Sequence, residues 1–109
     1  MSKLHQVVLI PGDGIGPEVM RATRRVLEAV AAPLTYIERH AGESALALGL
    51  GDLLPAETLD AIRDCHLALK GPCTTPVGSG FRSVPVALPK ELNLYAAVRP
   101  VRSMTGVKT

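Results

Sequence analysis

The sequence predicts an α/β fold built on a parallel sheet, and three consecutive segments near its start carry that prediction. Residues 6–10 (QVVLI) are short, apolar and β-branched, and a Pro-Gly turn follows them, as is typical of a buried parallel strand. Between residues 17 and 30 apolar side chains recur every three or four positions, which predicts an amphipathic helix with Pro17 in its first turn. Residues 34–38 (LTYIE) read as a second strand, and a strand-helix-strand unit favours parallel pairing.

The rest of the chain continues the alternation of helices and strands. The predicted elements are, in chain order, a short helix at 43–48, a helix at 55–63, a third strand at 66–69, a loop at 70–80 and a short helix at 90–94. In the second of these helices Leu59 and Ile62 are expected to face inward. Because the loop at 70–80 leaves the carboxyl end of a strand, it lies where open α/β sheets bind ligands.

The composition indicates a globular protein and argues against nucleic-acid and membrane partners. Of the 109 residues, 47% are hydrophobic and 20% charged, which suits a single folded unit over residues 1–109. Aromatic residues make up 3%, so stacking platforms for bases are lacking, and the net charge of +2 is scattered along the chain. No apolar stretch has transmembrane length, and the start does not resemble a signal peptide, which predicts a soluble, cytoplasmic protein. Cys65 and Cys73 are expected to be free thiols.

The glycine-rich segment at residues 12–16 (GDGIG) allows two interpretations. It follows a strand and opens a helix, so its backbone N–H groups could approach an anion at the positive helix end. It could equally be a plain tight turn. It is not the dinucleotide fingerprint, because the sixth position of that motif needs a glycine and is Pro17 here.

The loop at 70–80 and the arginines beyond it also carry two interpretations. The loop offers a cation, hydroxyls and flexible glycines that could bind a cofactor amide or an anion, although a surface loop has the same composition. Arg82, Arg99 and Arg102 with Ser83 could pair with a multiply carboxylated ligand, although solvated surface arginines are commoner. The three histidines share no metal-ligand spacing.

Three stretches taken together resemble one family. They are residues 10–18 (IPGDGIGPE), 70–76 (KGPCTTP) and 94–100 (LYAAVRP). Their order and spacing resemble the β-decarboxylating dehydrogenases, the family of isocitrate, isopropylmalate and homoisocitrate dehydrogenases. The loop at 70–76 followed by Phe81-Arg82-Ser83-Val84 is most similar to NAD-dependent isocitrate dehydrogenase. The resemblance implies an incomplete parallel-sheet α/β domain of this type, namely the N-terminal part of such an enzyme.

The resemblance also implies a chemistry and a set of binding residues. The reaction is the oxidative decarboxylation of isocitrate, a tricarboxylate, to 2-oxoglutarate, with NAD as hydride acceptor and Mg²⁺ or Mn²⁺ as Lewis acid. By position, Thr74 and Thr75 match the loop beside the nicotinamide, while Ser83 and Arg99 match substrate-binding residues. The family's catalytic and metal-binding residues are expected downstream of residue 109, so none is assigned here. The isolated chain is therefore expected to be inactive.

The resemblance extends to assembly and location. A homo-oligomer, or a partner chain that completes the sheet and covers its exposed edge, is implied. A mitochondrial matrix location is the alternative to the cytoplasm, since mitochondrial family members lose their presequence.

Three positions depart from the family pattern. Pro85 and Pro89 stand where the family has an asparagine and an arginine that face the substrate, and Ala97 replaces a further asparagine. Proline supplies no side-chain hydrogen bond, and Pro89 is expected to disfavour a helix running through it. Weaker tricarboxylate binding is therefore expected. The departures leave two alternatives open: a truncated non-catalytic subunit or interaction module that borrows the fold, and a small domain that holds a nucleotide at residues 12–16 without chemistry.

Overall fold

A three-stranded parallel sheet forms the centre of the computed structural model, which describes residues 3–78 and 80–108. The strands are β1 (His5–Ile10), β2 (Leu34–Glu38) and β3 (Ala68–Lys70), in the spatial order β2-β1-β3. Both pairings are parallel, with Val8 opposite Ile37 on one side and Ala68 on the other. The predicted parallel α/β sheet is therefore confirmed. Because all three strands point the same way, their carboxyl ends lie at one edge of the sheet.

Four helices accompany the sheet within the described residues. They are α1 (Gly16–Ala29), α2 (Glu43–Ala47), α3 (Ala56–Cys65) and α4 (Val84–Glu91). The first three agree with the predicted helices to within two residues at either end. Strand β3 begins two residues later than predicted, because His66 has a left-handed backbone (φ 60°) and closes α3 by donating its N–H to the carbonyl of Ile62. None of the helices in the described part of the chain is long and apolar enough to cross a membrane.

The prediction for α4 is wrong. The sequence predicts a helix at residues 90–94, and Pro89 is expected to disfavour a helix that runs through it. In the structure α4 begins at Val84 and continues through Pro89 to Glu91. Pro85 lies in the first turn of α4, where backbone N–H groups have no acceptor within the helix. The N–H that proline lacks therefore costs no helical hydrogen bond. Pro89 removes one hydrogen bond, and the last turn is still closed by the N–H of Leu94, which donates to the Pro89 carbonyl at 2.9 Å. Val84, which is fully buried, anchors the helix in the core.

The core lies mainly on one face of the sheet. Side chains on a strand alternate between faces, and Val8 and Ile10 of β1 point toward α3, where Leu59 and Ile62 are buried as predicted. The other members of this cluster are Ala41, Leu53, Leu54, Ala61 and Val84. Packing of α3 on β1 therefore holds the central strand in place, and with it the turn that follows.

The opposite face is less well covered. Met20 is the buried side chain that α1 places there, together with the glycine that opens the helix. Val19, Val26 and Val30, in α1 and at its end, are 44%, 62% and 68% exposed. The predicted amphipathic helix is confirmed, but the described residues leave much of its apolar face open to solvent. Residues 95–108, which follow α4, form no helix or strand and are exposed throughout.

Candidate functional site at the carboxyl edge of the sheet

The segments that follow β1 and β3 meet at the carboxyl edge of the sheet. The N–H of Gly71 donates to the carbonyl of Ile10 at 2.8 Å, and the N–H of Asp13 donates to the carbonyl of Pro72 at 2.7 Å. The two parallel strands thus deliver the glycine-rich segment at 12–16 and the loop beginning at residue 71 to the same place. This is the position at which open α/β sheets bind ligands.

Gly12 permits the close approach of the two segments. Its φ of 78° lies in the left-handed region, and a Cβ at this position would overlap the carbonyl oxygen of Pro72. The glycine is required by contact with the neighbouring segment as well as by its own backbone. Gly14 in the same turn also has a positive φ, of 58°, but open space surrounds it.

Asp13 is a residue of this candidate site that the sequence analysis did not single out. Its side chain is buried, with 9% of the residue exposed, and its carboxylate accepts backbone hydrogen bonds from two other segments. Oδ2 accepts from the N–H of Glu43 at 2.8 Å and from that of Thr74 at 2.7 Å, and Oδ1 accepts from the N–H of Ser44 at 2.7 Å. These bonds tie the glycine-rich turn to the start of α2 and to the loop after β3.

A sequence signal for Asp13 existed. An acidic residue between two glycines, directly after a buried strand, lies where water is partly excluded, so its carboxylate needs partners. One of the two interpretations of the glycine-rich segment was that its backbone N–H groups approach an anion, and that interpretation stays a prediction. The structure shows that the Asp13 side chain in this segment accepts hydrogen bonds from N–H groups of the protein.

Thr74 and Thr75 lie at this edge, beside Asp13. The backbone of Thr74 is held by the Asp13 carboxylate, while its side chain is exposed and Thr75 is half-buried. The structure thus brings both predicted cofactor-binding residues to the place where a ligand of this fold would bind. Their role in binding the cofactor stays a prediction.

Ser83 and Arg99, the predicted substrate-binding residues, are arranged differently from each other. Ser83 is half-buried at the start of α4, where its carbonyl accepts the N–H groups of Val86 and Ala87 and its hydroxyl does not cap the helix. Arg99 lies on the exposed segment after α4, and within the described residues no hydrogen bond or ion pair holds it to the site. Its role in binding the substrate stays a prediction.

One cavity borders the site. It has a volume of about 340 Å³, lies beside the start of α1 and is lined by Pro11, Gly12, Pro17, Met20, Arg21 and His40, among others. A second cavity, of about 460 Å³, lies between α3 and α4, and its walls include Leu54, Leu59 and Arg82. Arg82 therefore faces an open cavity one residue before Ser83.

In residues 3–78 and 80–108, no group of three or more His, Cys, Asp or Glu side chains could hold a metal ion, so no metal-dependent step is assigned to them.

The thiol of Cys73 reports the electrostatics of the loop. Burial raises its pKa above the usual value; the nearby Lys70 ammonium lowers the pKa and the Asp13 carboxylate raises it, both by smaller amounts. Lys70 donates from Nζ to the carbonyl of Gly71 at 2.9 Å, so its charge is held beside the turn. Cys73 and Cys65 are both free, as predicted.

A parallel α/β sheet with two joined loops at its carboxyl edge defines the class to which this chain belongs, that of α/β proteins built on a parallel sheet. Comparison with known proteins narrows the class. The family model of isocitrate/isopropylmalate dehydrogenase matches residues 6–109. The chain belongs to this family, and the predicted resemblance is confirmed.

Similar proteins come from several organisms. The NADP isocitrate dehydrogenase of Thermus thermophilus is 50% identical over 103 residues, which are 94% of this chain and 21% of that protein. A mitochondrial regulatory subunit of the NAD isocitrate dehydrogenase of Dictyostelium discoideum is 39% identical over 108 residues, 99% of this chain and 28% of that protein.

A solved structure agrees with these sequences. The crystal structure of isocitrate dehydrogenase from Methylococcus capsulatus matches with a TM-score of 0.79 and 47% identity, over 84% of this chain and 27% of that one. The chain spans 21–30% of the length of the curated relatives it matches. The family fold is therefore shown for a part of the relatives' length.

Proposed function

We propose that this chain is the N-terminal, cofactor-facing part of an isocitrate dehydrogenase that oxidises the 2-hydroxy acid and releases carbon dioxide. The observation that carries the proposal is the junction at the carboxyl edge, where Asp13 holds Thr74 beside the glycine-rich turn. Support comes from relatives named isocitrate dehydrogenase at 50% and 47% identity. As an isolated chain of 109 residues it is proposed to be inactive.

The proposed cofactor is NAD, bound by Thr74 and Thr75. Hydroxyl groups on a half-buried loop can donate to the carboxamide of a nicotinamide ring or accept from it. The Thermus thermophilus relative is named for NADP and the Dictyostelium discoideum relative for NAD, so both cofactors belong in the test. They differ by one phosphate group.

Ser83 and Arg99 are proposed to bind the tricarboxylate substrate. The Ser83 hydroxyl does not cap α4, and the Arg99 guanidinium suits bidentate pairing with a carboxylate. Because Arg99 is exposed and no hydrogen bond or ion pair within the described residues holds it, its guanidinium is proposed to pair with the substrate in the complete enzyme. Mg²⁺ or Mn²⁺, when bound, would polarise the substrate oxygens, and its ligands would come from outside the described residues.

Assembly and location are also proposals. A second copy of the chain or a partner chain is proposed to cover the exposed apolar side chains of α1 and to extend the sheet, whose edges are β2 and β3. The cytoplasm is the proposed compartment, with the mitochondrial matrix as the alternative.

A second candidate function is that of a non-catalytic subunit. One relative, at 39% identity, is named a regulatory subunit. Pro85, Pro89 and Ala97 remove polar side chains from positions expected to face substrate, which fits a subunit without substrate chemistry. This candidate predicts cofactor or effector binding without turnover in any assembly.

Cofactor titration tests the first proposal. Addition of NAD⁺ or NADP⁺ to the isotope-labelled chain is expected to shift the amide signals of residues 12–16 and 73–75 and to leave α3 unchanged. Thr75→Ala should reduce the response, and Thr35→Ala, a matched change at an exposed position on β2, should not. Equal responses from both variants, or none from the unsubstituted chain, would contradict the proposed cofactor role.

The intact mass of the polypeptide in its native cell separates the two candidates further. A mass well above 11.5 kDa would allow dehydrogenase activity to be assayed in the whole protein, and isocitrate-dependent NADH or NADPH formation would support the first candidate. A stable complex without such activity would support the second.

A further inference from the structure

The two carboxylate oxygens of Asp13 accept hydrogen bonds from three backbone N–H groups. Both side-chain positions must therefore be acceptors, as they are in a carboxylate. Two N–H groups, those of Glu43 and Thr74, converge on Oδ2, and the N–H of Ser44 points at Oδ1. An asparagine could keep one of these oxygens, but its NH₂ group would face a donor at the other. The site therefore distinguishes aspartate from its closest isostere.

The Thr74 bond anchors a segment that has little regular structure. Residues 73–75 follow the last contact with β1 and form no helix or strand. Their neighbour Pro72 is held through the N–H of Asp13, and Thr74 is held through the Asp13 carboxylate. Asp13 thus holds the loop through two hydrogen bonds, one donated by its backbone N–H and one accepted by its side chain.

Gly42 leaves space for the buried carboxylate. With a φ of 85° it lies before α2, and a Cβ at this position would overlap Asp13 Oδ2 and crowd the Cβ of Cys73 at 3.1 Å. The backbone at residue 42 is thus shaped around the Asp13 side chain. Gly49, with φ 76°, shares the left-handed backbone but meets nothing within 4 Å.

We propose that Asp13 is a positioning residue for cofactor binding: its carboxylate sets the distance of residues 73–75 from the glycine-rich turn and so places Thr74 and Thr75 against the nicotinamide cofactor. The inference rests on the proposed function for its cofactor, but the mechanical role of Asp13 stands on the hydrogen bonds alone. Removing the charge or displacing the carboxylate should loosen the loop without unfolding the sheet.

Amide hydrogen exchange in the 109-residue chain tests the mechanical role. Asp13→Asn is expected to raise the exchange rate at Thr74 by about tenfold or more, since hydrogen bonds to charged groups are the stronger ones. Amides of α3 should keep their rates, which shows that the fold persists. Asp60→Asn, which changes an exposed carboxylate on α3, is the control and should leave Thr74 unchanged.

A second pair of variants moves the carboxylate without changing its charge. Gly42→Ala should raise the Thr74 exchange rate as Asp13→Asn does, because the new methyl group displaces Oδ2. Gly49→Ala also places an alanine at a positive φ, but in open space, and should not. Unchanged exchange at Thr74 in both Asp13→Asn and Gly42→Ala would overturn the inference.

Cofactor affinity tests the functional half. In Asp13→Asn and Gly42→Ala the Kd of the cofactor is expected to rise about tenfold, with Asp60→Asn and Gly49→Ala unchanged. A loosened Thr74 with unaltered Kd would overturn the positioning role. A failure of the unsubstituted chain to bind either cofactor would overturn the proposed function instead, and Thr74 exchange would still decide whether Asp13 holds the loop.

Discussion

The α-carbon of Gly12 faces the carbonyl oxygen of Pro72 so closely that a Cβ on Gly12 would overlap that oxygen. The contact joins the turn after β1 to the loop after β3, which is distant along the chain. The same oxygen accepts a hydrogen bond from the N–H of Asp13, so two neighbouring residues of the turn contact it.

Gly12→Ala is therefore expected to destabilise the chain by about 3 kcal/mol or more, because the methyl group forces the two loops apart and the backbone stays strained. Gly14→Ala, in open space at φ 58°, should cost only the left-handed backbone energy of about 1–2 kcal/mol. Urea unfolding followed by circular dichroism measures both. Equal losses would show that the contact with Pro72 contributes nothing.

Thr58 provides a test of buried polar pairing. Its side chain is fully buried and donates from Oγ1 to the carbonyl of His40 at 2.7 Å. Thr58→Val keeps the shape and leaves that carbonyl without its donor, so the free energy of unfolding should fall by about 1–3 kcal/mol. Thr23→Val, which removes a comparable hydroxyl bond to a carbonyl in an exposed part of α1, should change it by less than about 0.5 kcal/mol. A larger loss of unfolding free energy in Thr23→Val than in Thr58→Val would contradict this account.

Cys73 should react slowly with thiol reagents near neutral pH. Burial raises its pKa, so the thiolate fraction is small and grows only as pH rises past that raised value. Lys70→Met removes the cation that lowers this pKa, and alkylation of Cys73 should slow further at every pH below the new pKa. The rate is measured with iodoacetamide in a Cys65→Ser background.

Lys90→Met, at an exposed position on α4, is the control for this experiment and should leave the alkylation rate unchanged. Faster alkylation in Lys70→Met would contradict the stated effect of the ammonium group.

Pro89 should weaken α4. Pro89→Ala restores an N–H that can donate to the carbonyl four residues earlier, so α4 should gain about 1–3 kcal/mol of stability. Pro85→Ala, in the first turn, should have little effect. Thermal unfolding of the two variants compares them. A Pro89→Ala variant no more stable than Pro85→Ala would contradict the expected cost of Pro89.

Elements whose signals are local were predicted well. The β-branched run of β1 and the apolar spacing of α1 lie within a few residues of one another, so propensity and periodicity decide them. The position of α4 was predicted wrongly because Pro89, judged from its own residue type, was expected to stop a helix. The buried side chain of Val84, in the first turn of α4, supplies tertiary packing that outweighs one missing hydrogen bond.

The site was predicted in part. Thr74 and Thr75 were chosen through the family resemblance, and the structure places them at the carboxyl edge, while Ser83 stays a prediction and Arg99 lies on an exposed segment. Asp13 was missed because its partners, Glu43, Ser44 and Thr74, lie 30, 31 and 61 positions away. A single sequence carries no record of contacts across such distances.

By itself the sequence determined the parallel strand-helix-strand unit, the loop that follows β3 and the family. Each of these depends on residue type and short spacing, which the chain carries wherever it folds. Only the tertiary structure decided that Asp13 is an acceptor for three backbone donors, that Gly12 and Gly42 make room for their neighbours, and that α4 continues through Pro89. Those features depend on contacts between segments far apart in sequence, which are formed only when the parallel sheet brings the ends of β1 and β3 together.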